Sequence, residues 1–163
     1  MPTSSVGKTS ARRGVTLIEL VVVVALISIL AGISFPAITS GIETLRLNSA
    51  TTGVVNFLNS GLDRAERRQQ MVEITVSKSA NTIEMRSSPA EFERKFALPE
   101  GVTITHVLPE LEYGDLNAPR SFILYPGGTV PGFGIALVNR KQAHRIVRID
   151  PITGVPRVER PPQ

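Results

Sequence analysis

From Leu20 to Ile42 the chain runs 23 residues without a charged side chain, and the opening stretch LVVVVALISILAG is nearly pure hydrocarbon. A bilayer core takes about 20 apolar residues in a helix, so this run is long enough to cross one. Lys8, Arg12 and Arg13 precede it, with no acidic residue in the first fourteen positions. Positive flanks stay on the cytoplasmic side, which predicts a single pass with the amino end inside and the chain beyond Pro36 outside. A cleavable secretory signal has a shorter apolar core followed by a small-residue cleavage site. Here the run is longer and passes into more helix-compatible sequence, so an anchor is the expected reading.

Once that segment is set aside, the remainder of the 163 residues suffices for one globular core and not for two comfortable ones. The net charge is +4, but the three leader cations supply most of it, leaving 15 basic against 14 acidic side chains elsewhere. Whole-molecule electrostatics therefore give little reason to expect nucleic-acid binding. There is no cysteine, which excludes disulfides, thiolate zinc sites and a thiol nucleophile.

Glu19 stands one turn inside the start of the apolar run. A carboxylate in hydrocarbon costs about 2.5 to 3.5 kcal/mol at a helix centre and less near the edge, so it needs a partner or a route to the headgroups. The plainer reading is that it reaches the headgroup layer beside Arg12 or Arg13. The sharper one comes from its neighbours. Gly14, Val15, Thr16, Leu17, Ile18 and Glu19 follow a short basic leader and open the apolar run. This pattern resembles the processing motif of type IV prepilins and pseudopilins. The resemblance implies that a prepilin peptidase cuts between Gly14 and Val15 and methylates the new amine. It also implies that Glu19 is neutralised by that amine on an adjoining subunit, and that Pro36 is the helix-bending proline of the apolar half.

Beyond Pro36, residues Ile38, Ile42, Leu45, Phe57, Leu58, Leu62 and Ala65 recur at roughly helical spacing, which predicts an amphipathic helix to about Gln70. Gly41, Gly53 and Gly61 each weaken it by about 1 kcal/mol, so packing must hold it. Asp63 and Arg67 form an i,i+4 pair, and Arg64, Arg67 and Arg68 read as a solvated face. The period then changes to two. Val72 to Val76, Ile83 with Met85, Val102 to His106, Phe122 to Tyr125, Phe133 to Val138, Arg145 to Ile149 and Val155 to Val158 are strand candidates. Residues 87–100 and 109–119 read as polar connections. The expected class is α+β, a pilin-like fold with a long N-terminal transmembrane and amphipathic helix packed on antiparallel sheet. The expected organisation is a cytoplasmic leader over 1–14, a transmembrane helix over 15–38, its amphipathic continuation over 39–70, and a β-rich periplasmic domain over 71–163.

A second resemblance lies near the carboxyl end. Ile123 to Gly128, the glycine-rich turn leading to Gly134 and Ile135, and Val147 to Gly154 are similar to the hairpins of the GspH family, which holds minor pseudopilins and related minor type IV pilins. That resemblance implies a structural subunit of a type II secretion pseudopilus, anchored in the bacterial inner membrane and then assembled in the periplasm. Its implied partners are the prepilin peptidase, other pseudopilins or pilins, and an inner-membrane assembly platform. A minor type IV pilin acting in pilus assembly or DNA uptake is the alternative it leaves open.

Catalytic chemistry finds little footing. Gly127, Gly128, Gly132 and Gly134 are not followed by GK[ST] and lie between strands, so a phosphate cradle is not expected. His106 and His144 lack metal-ligand spacing, and no GxSxG setting exists for a nucleophile. No catalytic residue, metal or cofactor is expected. Arg140, Lys141, Arg145 and Arg148, with Arg157 and Arg160 beyond them, are candidates for DNA contact. Solubilising charge on hairpins and tail is the plainer reading, since no aromatic residues interleave with them.

Overall fold

The computed structural model describes residues 15–87, 92–111, 113, 115 and 117–160, with the backbone alone for 35–40. The chain divides into two compact units, Met1–Thr39 and Ser40–Gln163. A single helix, α1 (Leu17–Arg68), enters both.

In the first unit the helix starts where its backbone donors find a cap. Thr16 Oγ1 accepts the Glu19 N–H at 3.3 Å, and Leu20 N–H donates to the Thr16 carbonyl at 3.2 Å. Thr16 followed three residues on by Glu19 is the S/T-x-x-E pattern of a helix start, and an acidic side chain in the first turn faces the positive end of the helix dipole. Leu17–Ser34 is apolar enough to cross a membrane by length and composition, with none of that window buried inside the protein. Ser28, the one hydroxyl within that apolar stretch before Ser34, donates to the Val24 carbonyl at 2.8 Å and so leaves no unpaired donor. The backbone stays helical through Pro36.

In the second unit α1 ends in a left-handed residue. Gln69 has φ 51° and Gln70 N–H reaches back to the Ala65 carbonyl at 3.3 Å, the 6→1 bond of a Schellman cap. Among the described residues eight strands follow: β1 (Val72–Ser77), β2 (Thr82–Ser87), β3 (Phe92–Ala97), β4 (Val102–Leu108), β5 (Arg120–Leu124), β6 (Gly134–Asn139), β7 (His144–Ile149) and β8 (Pro156–Glu159). They form two antiparallel sheets, ordered β3-β2-β1-β5 and β4-β6-β7-β8. One hydrophobic cluster joins Leu47, Val54 and Leu58 of the helix to Ile74, Ile83 and Met85 of the first sheet and Ile135, Leu137 and Val147 of the second.

The buried helical stripe is Leu47, Ala50, Thr51, Val54, Phe57, Leu58 and Ala65, with Leu62 packed at its margin. Ile42 and Leu45 do not belong to it, being 44% and 69% exposed. At 3.6 residues per turn, Leu45 lies roughly opposite Leu47, so only one of the two can face the sheets. Gly53 and Gly61 sit where sheet side chains meet the helix backbone. A Cβ on Gly53 would stand 2.5 Å from Phe96 Cζ, and one on Gly61 would stand 3.0 Å from Met85 Cε.

Two readings of the connections are corrected. The segment after Ser87 is not wholly a loop, because it contains β3. Its sequence FERKFA escapes an alternation test because it is an edge strand: Phe92 and Phe96 turn toward the helix side with only partial burial, and charges occupy the rest. Ile123 to Ile135 is not a hairpin either. β5 pairs with β1 in one sheet, while β6 pairs with β4 and β7 in the other, so the glycine-rich segment is a crossover between sheets. The β7–β8 pairing is a hairpin, as read from the sequence.

Three contacts tie the sheets together. Phe122 and Phe133 stack with centroids 4.0 Å apart. Asn81, at φ 54° in the β1–β2 turn, donates from Nδ2 to the Val102 carbonyl at 2.8 Å and accepts the Ile104 N–H at 2.9 Å, acting as a short extra strand on the β4 edge. Arg120 Nη1 donates to the Val107 and Pro109 carbonyls at 2.6 and 2.5 Å.

Candidate functional site

Of the residues singled out at the amino end, Gly14 lies outside the described residues. Val15 is described and 73% exposed, and Glu19 is in the first turn of α1 with its side chain exposed. Its N–H is bonded to Thr16, but its carboxylate has no ion partner among the described residues. The Thr16 cap uses only the Glu19 backbone N–H, so it neither calls for a glutamate side chain nor supplies the counter-charge that a lipid environment demands. Pro36 lies inside the helical backbone.

The carboxyl-terminal motifs owe their form to turn chemistry. In the β7–β8 turn, Asp150 Oδ1 accepts the N–H of Ile152 at 2.9 Å and of Thr153 at 3.3 Å, while Gly154, at φ 69°, donates to the Asp150 carbonyl at 2.8 Å. Those backbone N–H groups hold the Asp150 carboxyl below the usual aspartate range, with Arg157 helping from 3.5 Å. At the end of β5, Gly128 N–H closes a turn on the Tyr125 carbonyl at 3.2 Å, and Gly127 at φ 62° donates to Glu66 Oε1 at 3.1 Å. A cleft of about 520 Å³ lies between these two turns, lined by Glu66, Gly127, Gly128 and Gly154 among others. A carboxylate at its wall and a strand rather than a helix beyond it do not suit a phosphate.

The four candidate DNA-contact residues do not form one stripe. Arg140 is paired with Glu100 at 2.6 Å, and Arg148 with Glu159 at 3.3 Å. Arg145 and Arg148 point to opposite faces of β7, since Val147, which shares a face with Arg145, is buried. Arg145 donates to the neighbouring His144 carbonyl, and Lys141 N–H closes on Asn139 Oδ1 at 3.0 Å. His106 pairs with Glu110 at 3.0 Å. Among the described residues no group of three or more His, Asp or Glu side chains could hold a metal ion.

Sequence reasoning missed a different charged surface. Arg64 is not simply solvated: its guanidinium lies 3.5 Å over the Phe92 ring and its Nε donates to Ser87 Oγ at 3.1 Å. With Arg67, Arg68 and Arg94 it lines a groove of about 300 Å³ between the end of α1 and β3. The signal was divided between a helix and a segment read as loop, so only the fold brings it together.

Comparison with known proteins agrees with this architecture. Residues 9–35 match the prokaryotic N-terminal methylation motif. The fold is similar to that of the minor pseudopilin EpsH from the type 2 secretion system of Vibrio cholerae, with a TM-score of 0.56 at 14% identity over 72% of this chain and 99% of that one. No curated protein matches in sequence. The molecule is therefore an α+β protein of pilin-like fold whose amino-terminal part carries the prokaryotic methylation motif.

Proposed function

We propose that the chain is a minor pseudopilin, a structural subunit of a type II secretion pseudopilus rather than an enzyme. The observation that carries this reading is the presence in one chain of the methylation motif over residues 9–35 and a pilin-like α+β domain beyond it. In this reading the amino end is cytoplasmic, the apolar part of α1 anchors the precursor in the inner membrane, and the sheets lie in the periplasm. A prepilin peptidase removes residues 1–14 and methylates the Val15 amine. The helix then leaves lipid for the apolar helices of other pseudopilins at an assembly platform, so apolar surface is not surrendered to water. The exposed Glu19 carboxylate meets the new ammonium of an adjoining subunit, which neutralises it and sets the axial register.

Intact-mass analysis tests the first step. Chain from cells with an active prepilin peptidase should lack residues 1–14 and carry one added methyl group, and chain from peptidase-deficient cells should begin at Met1. Full-length chain in both strains would sink the proposal. Glu19→Val should still be cleaved yet fail to enter filaments. Incorporation equal to the parent's would remove the charge-pairing step.

A further inference from the structure

Six cations of the second unit are answered by carboxylates elsewhere on its surface. Arg46 pairs with Glu43, Arg86 with Glu84 and Glu93, Lys95 with Glu84, Arg140 with Glu100, Arg148 with Glu159 and Arg157 with Asp150. The groove beside β3 instead gathers four arginines with little acidic company. Against Arg64, Arg67, Arg68 and Arg94 it sets one carboxylate, Asp63, which reaches Arg67 only at 3.9 Å. The site is also partly built. Arg64, which lines the groove, is fixed by Phe92 beneath it and Ser87 at its Nε. Arg94 pairs in register with the buried Met85, so its side chain emerges on the helix side of the sheet, where the other three arginines lie.

The groove runs along a strand with an open edge. β3 ends its sheet and hydrogen-bonds only to β2, so its outer backbone groups have no strand partner among the described residues. Such an edge is a template for another strand. Here the sign of the charge selects the guest. A second copy of β3 would bring Arg94 against arginines, which disfavours self-pairing, whereas carboxylates on a guest strand would be matched. Alternate residues of a strand, about 6.8 Å apart, project to one face, so acids at every second position would all reach the groove.

We propose that the β3 edge and its arginine groove bind an extended acidic segment of a partner protein, which adds as a fifth strand to the first sheet. The inference does not depend on the filament reading. Binding pairs the guest backbone with β3 and its alternate carboxylates with Arg64 and Arg94.

The full chain in detergent micelles should be titrated with a fluorescent peptide of about eight residues, the length of an ordinary strand, alternating Glu with Val. Binding should weaken by about tenfold or more in Arg64→Ala and in Arg94→Ala, and when Lys replaces Glu in the peptide. Methylating alternate backbone nitrogens of the peptide, with its charge kept, should abolish binding. A strand-edge contact requires that loss and simple charge attraction does not. Equal binding of the methylated peptide, equal binding to both variants, or no binding at about 50 mM salt would each overturn the proposal. So would a single-stranded oligonucleotide of equal charge that binds more tightly and displaces the peptide, because the groove would then be a nucleic-acid surface. Circular dichroism of the variants separates lost binding from lost fold.

Discussion

Asn139 shows how much one polar side chain can organise. It is 3% exposed, its Oδ1 accepts the N–H of Lys141 at 3.0 Å and of Ala143 at 2.9 Å, and its Nδ2 donates to the Glu43 carbonyl at 3.3 Å. Asn139→Ala strips the β6–β7 turn of these partners and should cost about 2 kcal/mol, measured by urea unfolding in micelles. Asn139→Asp keeps the acceptor and should lose less. Glu84 makes a pH prediction at the same scale. The Lys95 hydrogen bond, at 2.8 Å, holds its carboxyl below the usual glutamate range. A carboxyl lowered in the folded state adds stability above its unfolded pKa and loses it as pH falls through the folded one. Unfolding midpoints should therefore drop on acidification below the ordinary glutamate range, and Lys95→Met should flatten that limb. A midpoint profile unchanged by Lys95→Met would refute the assignment. Part of this scale was legible in sequence: the Asp63–Arg67 pair was readable from local spacing, and the turn at Asp150 lies in the stretch Val147 to Gly154 that reads as a hairpin. Arg64 was not, because its partners Phe92 and Ser87 lie more than twenty positions away.

Among the elements, α1 carries a built-in contrast. A Cβ at Gly61 meets Met85, Ile74 and Leu124 within 3.0 to 3.6 Å, whereas at Gly41 nothing lies within 4 Å. Gly61→Val should overpack the core and cost about 1 to 3 kcal/mol. Gly41→Ala should instead gain up to about 1 kcal/mol from helix propensity. Thermal unfolding of the two variants checks both signs, and equal shifts would show that Gly61 is not pressed against the sheet. β1, β2 and β4 were found from their period of two, since each keeps an apolar face toward the core. β3 was not. An edge strand buries too little apolar surface to print the pattern, and its identity comes from pairing with β2.

For the second unit as a whole, one core spans a helical segment and two sheets, and the Phe122–Phe133 stack lies where the sheets meet. Phe133→Ala removes a ring that is 1% exposed and should cost about 3 to 5 kcal/mol. Tyr125 fluorescence and amide hydrogen exchange in β6 should report one shared transition. Separate transitions would mean that the sheets are not one cooperative structure. Sequence by itself determined the apolar helix, the amino-terminal methylation motif, the α+β class and most of the strands. Each of these is written in hydrophobic period, in local charge order or in a contiguous motif. Tertiary structure alone decided which helical face is buried, that the glycine-rich segment crosses between sheets instead of turning back, and that three arginines of α1 and one of β3 border one open edge. Those outcomes depend on which distant surfaces meet, and residues far apart in the chain acquire a common environment only when packing makes them neighbours.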